Sequence, residues 1–205
     1  SDREKDYISS EDLVSQILTF SRQSQAELKP LKVNLIVKEA LKLLRASIPT
    51  TIEFQENITS KAAVKADPTE IHQLIMNLCT NAYHAMQEFG GILTVTLKDI
   101  DITRPLTKHQ IIVDPGHWVH LTVSDIGRGI ASEILNRIFD PYFSTKEKGE
   151  GTGLGLAVVQ GVVEKCEGKI SVDSVINKGT TFDIYLPVYS SDALPDAQTE
   201  IPVPT

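Results

Sequence analysis

The chain has 205 residues, of which 41% are hydrophobic and 23% charged, so it holds enough apolar material for one good core and an appendage. Its formal net charge of -7 argues against nucleic acid or an anionic membrane surface as the main partner, because both reward a basic footprint. No apolar run reaches the length of a membrane span, "SDREKDYISS" does not read as a signal peptide, and Cys79 and Cys166 lack metal-ligand spacing, so they read as buried reduced thiols of a cytoplasmic chain.

The chain begins inside a helical pattern and reads as a segment of something longer. From Asp6 to Leu28 the residues Leu13, Ile17 and Phe20, flanked by Val14 and Leu18, recur at helical spacing, and Pro30 ends the run. One amphipathic helix cannot bury its own stripe, so this one needs a partner helix from the same molecule or a second copy. "LKVNLIVKEALKLLRASIP" predicts a short extended start and then a helix lined by Val37, Leu41 and Leu44. "TIEFQENI" and "AAVKAD" predict two strands. Asp67 offers a helix cap, Pro68 suits the first helical position, and Glu70 stands three residues after the cap. That helix is expected to run to about Phe89 and stop at Gly90 and Gly91.

"ILTVTLKDIDIT" and "HWVHLTVSD" predict two more strands, joined by a long loop holding Pro105, Pro115 and Gly116. A glycine-rich region leads to a helix expected from about Gly153, followed by the strand pair "KISVDSV" and "TTFDIYLPV" joined through Asn177 and Gly179. The sum is an α+β chain, a mixed sheet with helices covering one face. After Tyr189, "SSDALPDAQTEIPVPT" has no periodicity and few large apolar groups, and is expected to be a disordered linker or tail.

Three stretches carry chemistry. "GTGLGLAVV" puts glycines at 151, 153 and 155 before an apolar helical pattern, a frequent sign of a phosphate site, yet it matches neither the Walker loop, which ends Gly-Lys-Ser/Thr, nor the dinucleotide fingerprint, which follows a strand directly. "SDIGRGI" sets Gly127 and Gly129 just after Asp125 at a strand end, where a carboxylate can accept a hydrogen bond from an exocyclic amine such as that of adenine. In "EIHQLIMNLCTNAYHAM", Asn77, Asn81 and His84 share one helix face while Ile71, Leu74, Ile75, Leu78, Ala82 and Ala85 are apolar. Amides on a largely buried helix need polar partners, since leaving each unpaired costs about 1 to 3 kcal/mol. Mg²⁺ with triphosphate oxygens would supply them, because amide oxygens are hard ligands and Mg²⁺ takes few protein ligands beside phosphates and water.

In this order "NLCTNAYHAM", "DIGRGI", "IFDPYFSTK" and "GTGLGLAVV" resemble the N box, first glycine box, F box and second glycine box of the sensor histidine kinase ATP-binding domain, in the wider superfamily of gyrase, Hsp90 and MutL, over about Leu31 to Val188. The resemblance implies a two-layer α/β sandwich of the Bergerat type, with ATP between helices and a mixed sheet beneath a lid at about Phe139 to Glu150. It implies that Asn77 and Asn81 bind Mg²⁺ and phosphate, that His84 takes the place of a basic phosphate contact, and that Asp125 binds adenine. Gly127 and Gly129 would let the backbone approach base and sugar, and Gly151, Thr152, Gly153, Leu154 and Gly155 would bring lid and helix amides to the phosphates. Lys146 is the implied lid cation at the γ-phosphate, and Thr180 joins the water network around adenine. Relatives often place an aromatic after the His84 position; here it is Ala85, so that contact is missing or supplied from elsewhere.

Hydrolysing relatives carry a glutamate at position 77 to activate water, whereas Asn77 cannot act as a base, which favours phosphate transfer to a histidine over hydrolysis. "DLVSQILTFSRQS" resembles the second helix of the kinase dimerisation module, which divides the chain into residues 1–30 of that module, the ATP-binding domain at 31–188 and a tail at 189–205. No histidine precedes His72, so the phosphoacceptor belongs upstream, and the tail resembles the linker by which hybrid kinases continue into a receiver domain. The resemblance further implies a homodimer in the longer protein, for which a membrane anchor stays an open alternative, and a response-regulator partner. Two other readings stand beside it: a nucleotide-sensing interaction module without transfer, and a gyrase- or MutL-like ATPase. His72, His109, His117 and His120 have no comparable context and read as structural or surface residues.

Overall fold

The computed structural model describes residues 28–109, 111–145 and 152–190. The expected helix over Asp6–Leu28, save its last residue, the tail from residue 191, Lys146, Gly151 and the lid residues after 145 lie outside them. No helix among the described residues is long and apolar enough to cross a membrane.

A short strand β1 (Lys29–Lys32) leads into α1 (Val33–Ser47), whose Val33, Val37, Ala40, Leu41 and Leu44 are buried on one side as the spacing requires. Ile48 closes the helix, donating its N–H to the Leu44 carbonyl at 2.8 Å, and is extended because Pro49 follows. After β2 (Ile52–Ile58) and β3 (Ala63–Ala66) comes α2 (Pro68–Met86). Asp67 caps α2 by accepting from the N–H groups of Thr69 at 2.8 Å and Glu70 at 3.1 Å. Glu70 does not complete a reciprocal cap: its buried carboxylate pairs with Lys165 of a later helix at 2.8 Å. Helix α2 stops at Met86, short of the expected Phe89, because Gly90 turns to φ +72 and donates its N–H back to the Met86 carbonyl at 2.8 Å.

Strands β4 (Gly91–Ile102) and β7 (Gly116–Asp125) pair antiparallel, with Val95 opposite Val123 and Leu97 opposite Leu121. The connection between them, expected to be a plain loop, folds into a hairpin of β5 (Leu106–Lys108) and β6 (Ile111–Val113). Its turn passes through His109 at φ +50, and with neither glycine nor asparagine there the usual hairpin signal is missing. A 3₁₀ turn at Ser132–Arg137 precedes α3 (Gly155–Lys165), and β8 (Lys169–Val175) and β9 (Gly179–Pro187) close the chain. Helix α3 starts later than the expected Gly153 because Gly153 sits at φ +67, outside helical backbone.

The main sheet runs β2-β4-β7-β9-β8, with β2 and β4 parallel and every other neighbour antiparallel. Its inner face, built from Leu93, Val95 and Leu97 of β4, Val119, Leu121 and Val123 of β7 and Phe182, Ile184 and Leu186 of β9, joins the apolar sides of α1, α2 and α3 in one core. Cys79 and Cys166 are free and buried there, and burial pushes their thiols up to about 12 and about 11, so neither is a reactive thiolate.

The outer face carries a smaller core of Val113, Trp118 and Tyr185 under the hairpin. Buried Asp183 on β9 accepts from His120 Nε2 at 2.7 Å and from Lys108 Nζ of β5, and the Tyr185 ring stacks on His120 with centroids 4.5 Å apart. Burial by itself would raise the Asp183 carboxyl, but hydrogen bonds and charge from His120 and Lys108 outweigh it and hold the group down to about 2.

Because that value lies below the ordinary 3.8, the stabilisation is complete above about pH 4 and is lost as pH falls toward 2. Urea titrations across this window should lose roughly 2 kcal/mol, a slope that Asp183→Asn should flatten at the expense of stability at neutral pH. Gly161, exposed in the middle of α3 with nothing within 4 Å of a Cβ placed there, makes the opposite case. Gly161→Ala should raise stability by about 0.5 to 1 kcal/mol, read as a higher midpoint with unchanged denaturant slope.

Candidate nucleotide site

Helix α2 presents two faces. Ile71, Leu74, Ile75, Leu78, Cys79, Ala82 and Met86 seal one against the sheet, and the half-buried Asn77, Asn81 and His84 lie along the other. A cavity of about 680 Å³ separates that polar side from the ends of β7 and β9, the segment after β7 and the start of α3. Asn77, Asn81 and His84 line it from α2, Asp125, Gly129 and Thr180 from the sheet side, and Thr152, Gly153 and Gly155 from the α3 side. Gly127 lines an adjoining cavity instead, Leu154 stands outside the lining, and Lys146 and Gly151 fall outside the described residues.

Asp125 is 6% exposed, pairs in register with Thr180, and accepts the Gly127 N–H on Oδ1 at 2.8 Å. Burial raises its carboxyl above the ordinary aspartate value, and hydrogen bonds from the backbone of Gly127 and Thr180 oppose that without cancelling it. Its two oxygens together carry more acceptor sites than these two N–H groups occupy, so the carboxylate can still accept from a donor in the cavity. Beside it, Ser174 Oγ accepts the Ile130 N–H at 2.8 Å, lies 3.0 Å from the Gly179 carbonyl and shares a hydrogen bond with Thr180 Oγ1 at 2.9 Å. With Ser174 donating to the carbonyl, Thr180 donates to Ser174 and keeps its oxygen lone pairs for a ligand or water.

The glycines have structural reasons of their own. A Cβ on Gly127 would stand 2.6 Å from the Ala85 carbonyl oxygen, and one on Gly129, at φ +67, would stand 2.1 Å from that of Val175. The chain after β7 is therefore wedged between α2 and the β8–β9 turn. Two backbone bonds hold it there: Arg128 N–H to the Ala85 carbonyl at 3.0 Å, and Asn177 N–H to the Arg128 carbonyl at 2.8 Å. Likewise the Tyr142 N–H donates to the Gly153 carbonyl at 3.0 Å, joining the chain after the 3₁₀ turn to the chain just before α3. Gly155 differs, since a Cβ there would only touch Asn77 Oδ1 at 3.6 Å; its bareness keeps the mouth of α3 open toward that amide.

Among the described residues Asp125 is the sole carboxylate lining the cavity, His84 and Arg128 are its basic residues, and the amides of Asn77 and Asn81 have no hydrogen-bond partner. No group of three His, Cys, Asp or Glu among them could hold a metal, so a cation here would rest on the two amide oxygens and on the ligand's own oxygens. Sequence reasoning missed several lining residues. Ile130, Ile134 and Ile138 form an apolar wall, and their spacing of four was a readable signal. Thr80, Phe143, Asn177 and Phe182 also line the cavity, and Ser174 supports it from inside a strand; that position carries no local mark.

Residues 66–190 match the family described as histidine kinase-, DNA gyrase B- and HSP90-like ATPase. The chain is 36% identical over 176 residues to the sensor kinase CckA of Brucella abortus, covering 85% of this chain and 18% of that protein. It is 37% identical over 179 residues to the sensor histidine kinase ZraS of Salmonella typhi, covering 86% and 35% respectively. It thus spans about a fifth to a third of the length of these relatives. Among solved structures, the catalytic domain of the histidine kinase ThkA superposes with a TM-score of 0.63 at 28% identity, covering 79% of this chain and 96% of that one. The mycobacterial sensor histidine kinase MprB gives 0.62 at 28%, covering 78% and 97%. With a five-stranded mixed sheet packed on three helices, a cavity bounded by the N-box helix and two glycine-rich turns, and a family match over more than half its length, this chain belongs to the histidine kinase-, DNA gyrase B- and HSP90-like ATPase family and has its Bergerat ATP-binding fold.

Proposed function

We propose that this chain is the ATP-binding part of a two-component sensor histidine kinase, and that it presents the γ-phosphate of ATP to a histidine upstream of Ser1 in the longer protein. The observation that carries this reading is the amide at position 77. Hydrolysis needs a base beside the γ-phosphate, and Asn77 cannot take a proton. Asp125, the one carboxylate lining the cavity among the described residues, lies by the sheet end and already accepts from Gly127. A nucleophile brought from outside needs only position and charge neutralisation.

In this reading Asp125 accepts a hydrogen bond from the exocyclic amine of adenine, and Thr180, oriented by Ser174, holds water against the base edge. Asn77 and Asn81 would hold Mg²⁺ through amide oxygens that no donor among the described residues claims. When bound, Mg²⁺ neutralises charge on the phosphate oxygens. The backbone at Thr152, Gly153 and Gly155, which line the cavity at the start of α3, would offer N–H groups to the phosphates with the helix dipole behind them. His84 borders the phosphates from α2, and Lys146, outside the described residues, is assigned to the γ-phosphate as its cation. An imidazole nitrogen of the acceptor bonds to the γ-phosphorus as the bond to the β,γ-bridging oxygen breaks, leaving ADP and phosphohistidine, with the imidazole proton passing to solvent. Residues 1–30 then act as the second helix of a dimerisation module, the longer protein is a homodimer, and a response-regulator receiver domain takes the phosphate.

The direct test incubates this chain, and the natural protein extended upstream through the preceding helix, with γ-labelled ATP and Mg²⁺. Acid-labile, base-stable label should appear on the longer protein only. Steady phosphate release by the short chain with neither protein labelled would instead assign it to the hydrolysing relatives.

The aspartate gives a second expectation. Only the ionised carboxylate accepts from adenine without donating, and burial holds Asp125 above the ordinary 3.8. ATP affinity should therefore fall on acidification with a midpoint above that value. Asp125→Asn should remove the dependence and weaken binding at pH 7 by at least about 10-fold, as loss of a charged hydrogen bond requires. Calorimetric titration with ATP between pH 7 and 4 checks both.

A further inference from the structure

A second cavity of about 610 Å³ adjoins the first, and four residues line both: His84, Ala85, Arg128 and Asn177. These four therefore stand where the two cavities meet. Ala85 contributes a methyl group and Asn177 a short side chain in a turn at φ +60. The His84 ring lies tilted against Tyr83, with centroids 5.2 Å apart, and within 3.4 Å of Gln87 Oε1 along its own helix. Arg128 is the long side chain among them. It is exposed, and its guanidinium has no ion-pair or hydrogen-bond partner among the described residues.

Its backbone is the opposite of free. The N–H is bonded to Ala85 and the carbonyl to Asn177, and glycines at 127 and 129 hold the flanking chain in contact with α2 and the β8–β9 turn. An uncommitted guanidinium thus springs from an immobilised backbone three residues beyond Asp125 and directly across from the bare Ala85. Resting on the nucleotide reading of the cavity, we infer that Arg128 is a nucleotide-binding residue whose guanidinium stacks on the face of the adenine that Ala85 leaves uncovered. A planar, weakly hydrated cation suits a π face, and its long stem can span the open boundary between the two cavities.

The contact is to the base and not to the phosphates, which separates it from a general attraction between a cation and ATP. Calorimetry with adenosine, ADP and ATP on the full chain tests it. Arg128→Ala should weaken all three by a similar factor of about 3- to 30-fold, Arg128→Lys should weaken them less, and thermal unfolding should not move because the side chain is exposed. Adding Ala85→Tyr to Arg128→Ala should restore much of the affinity by covering the same face with a ring; a merely structural role for Arg128 would not be rescued this way. Loss confined to ATP and ADP, with adenosine unchanged, would make Arg128 a phosphate contact and overturn the stacking. Unchanged affinity for all three would overturn any nucleotide role for it. In both cases normal binding by the unsubstituted chain and loss in Asp125→Asn would leave the nucleotide site itself standing, whereas failure of the unsubstituted chain to bind any of the three would overturn both readings.

Discussion

The structure depends on the two-faced character of α2. Its apolar side is committed to the central core, while the side bearing the half-buried Asn77, Asn81 and His84 lines the cavity. An amide left facing a closed interior would cost about 1 to 3 kcal/mol. The cavity removes that cost by leaving the stripe to solvent or ligand. Fold and site are therefore one arrangement: the same helix closes the core and opens the pocket.

Close approaches hold the opposite wall in place. Gly127 against the Ala85 carbonyl, Gly129 against Val175 and Gly179 against the Asp125 carbonyl each bring two backbones nearer than a side chain would allow. Their effect is to present Asp125 and Thr180 on a rigid rim, so that the carboxylate is positioned before any ligand arrives. Such preorganisation suits a site that works by placement and charge and that has no side-chain base at position 77. The Glu70–Lys165 pair extends the same logic, since it ties the start of α2 to the end of α3 and so joins two of the helices that border the cavity. Across the sheet, the Asp183 cluster fastens the β5–β6 hairpin to β7 and β9 through three elements of widely separated sequence.

Legibility followed the range of the interaction. The cap at Asp67, the stripe of α1 and the alternation of β4 and β7 were all readable, because each is decided by residues within a few positions of one another. The amide stripe of α2 was readable for the same reason. The hairpin after β4 was not: its turn lacks the usual glycine or asparagine, and what stabilises it is Lys108 reaching an aspartate 75 residues away. Glu70 illustrates a local rule overruled, since its position favours a reciprocal cap but a lysine on another helix competes for the carboxylate and wins.

By itself, then, the sequence determined which residue types gather on each face and so the chemistry on offer: amides on one helix, a carboxylate at a strand end, glycines at two turns. Periodicity and turn stereochemistry act over a few residues and leave a mark in the string. Only the tertiary structure decided which of these groups face one cavity, why Gly127 must be glycine, and that Arg128, Ala85 and Asn177 meet at its open edge. Those outcomes rest on contacts between backbones far apart in the chain, and the order of residues along a strand or helix carries no record of what lies across the gap.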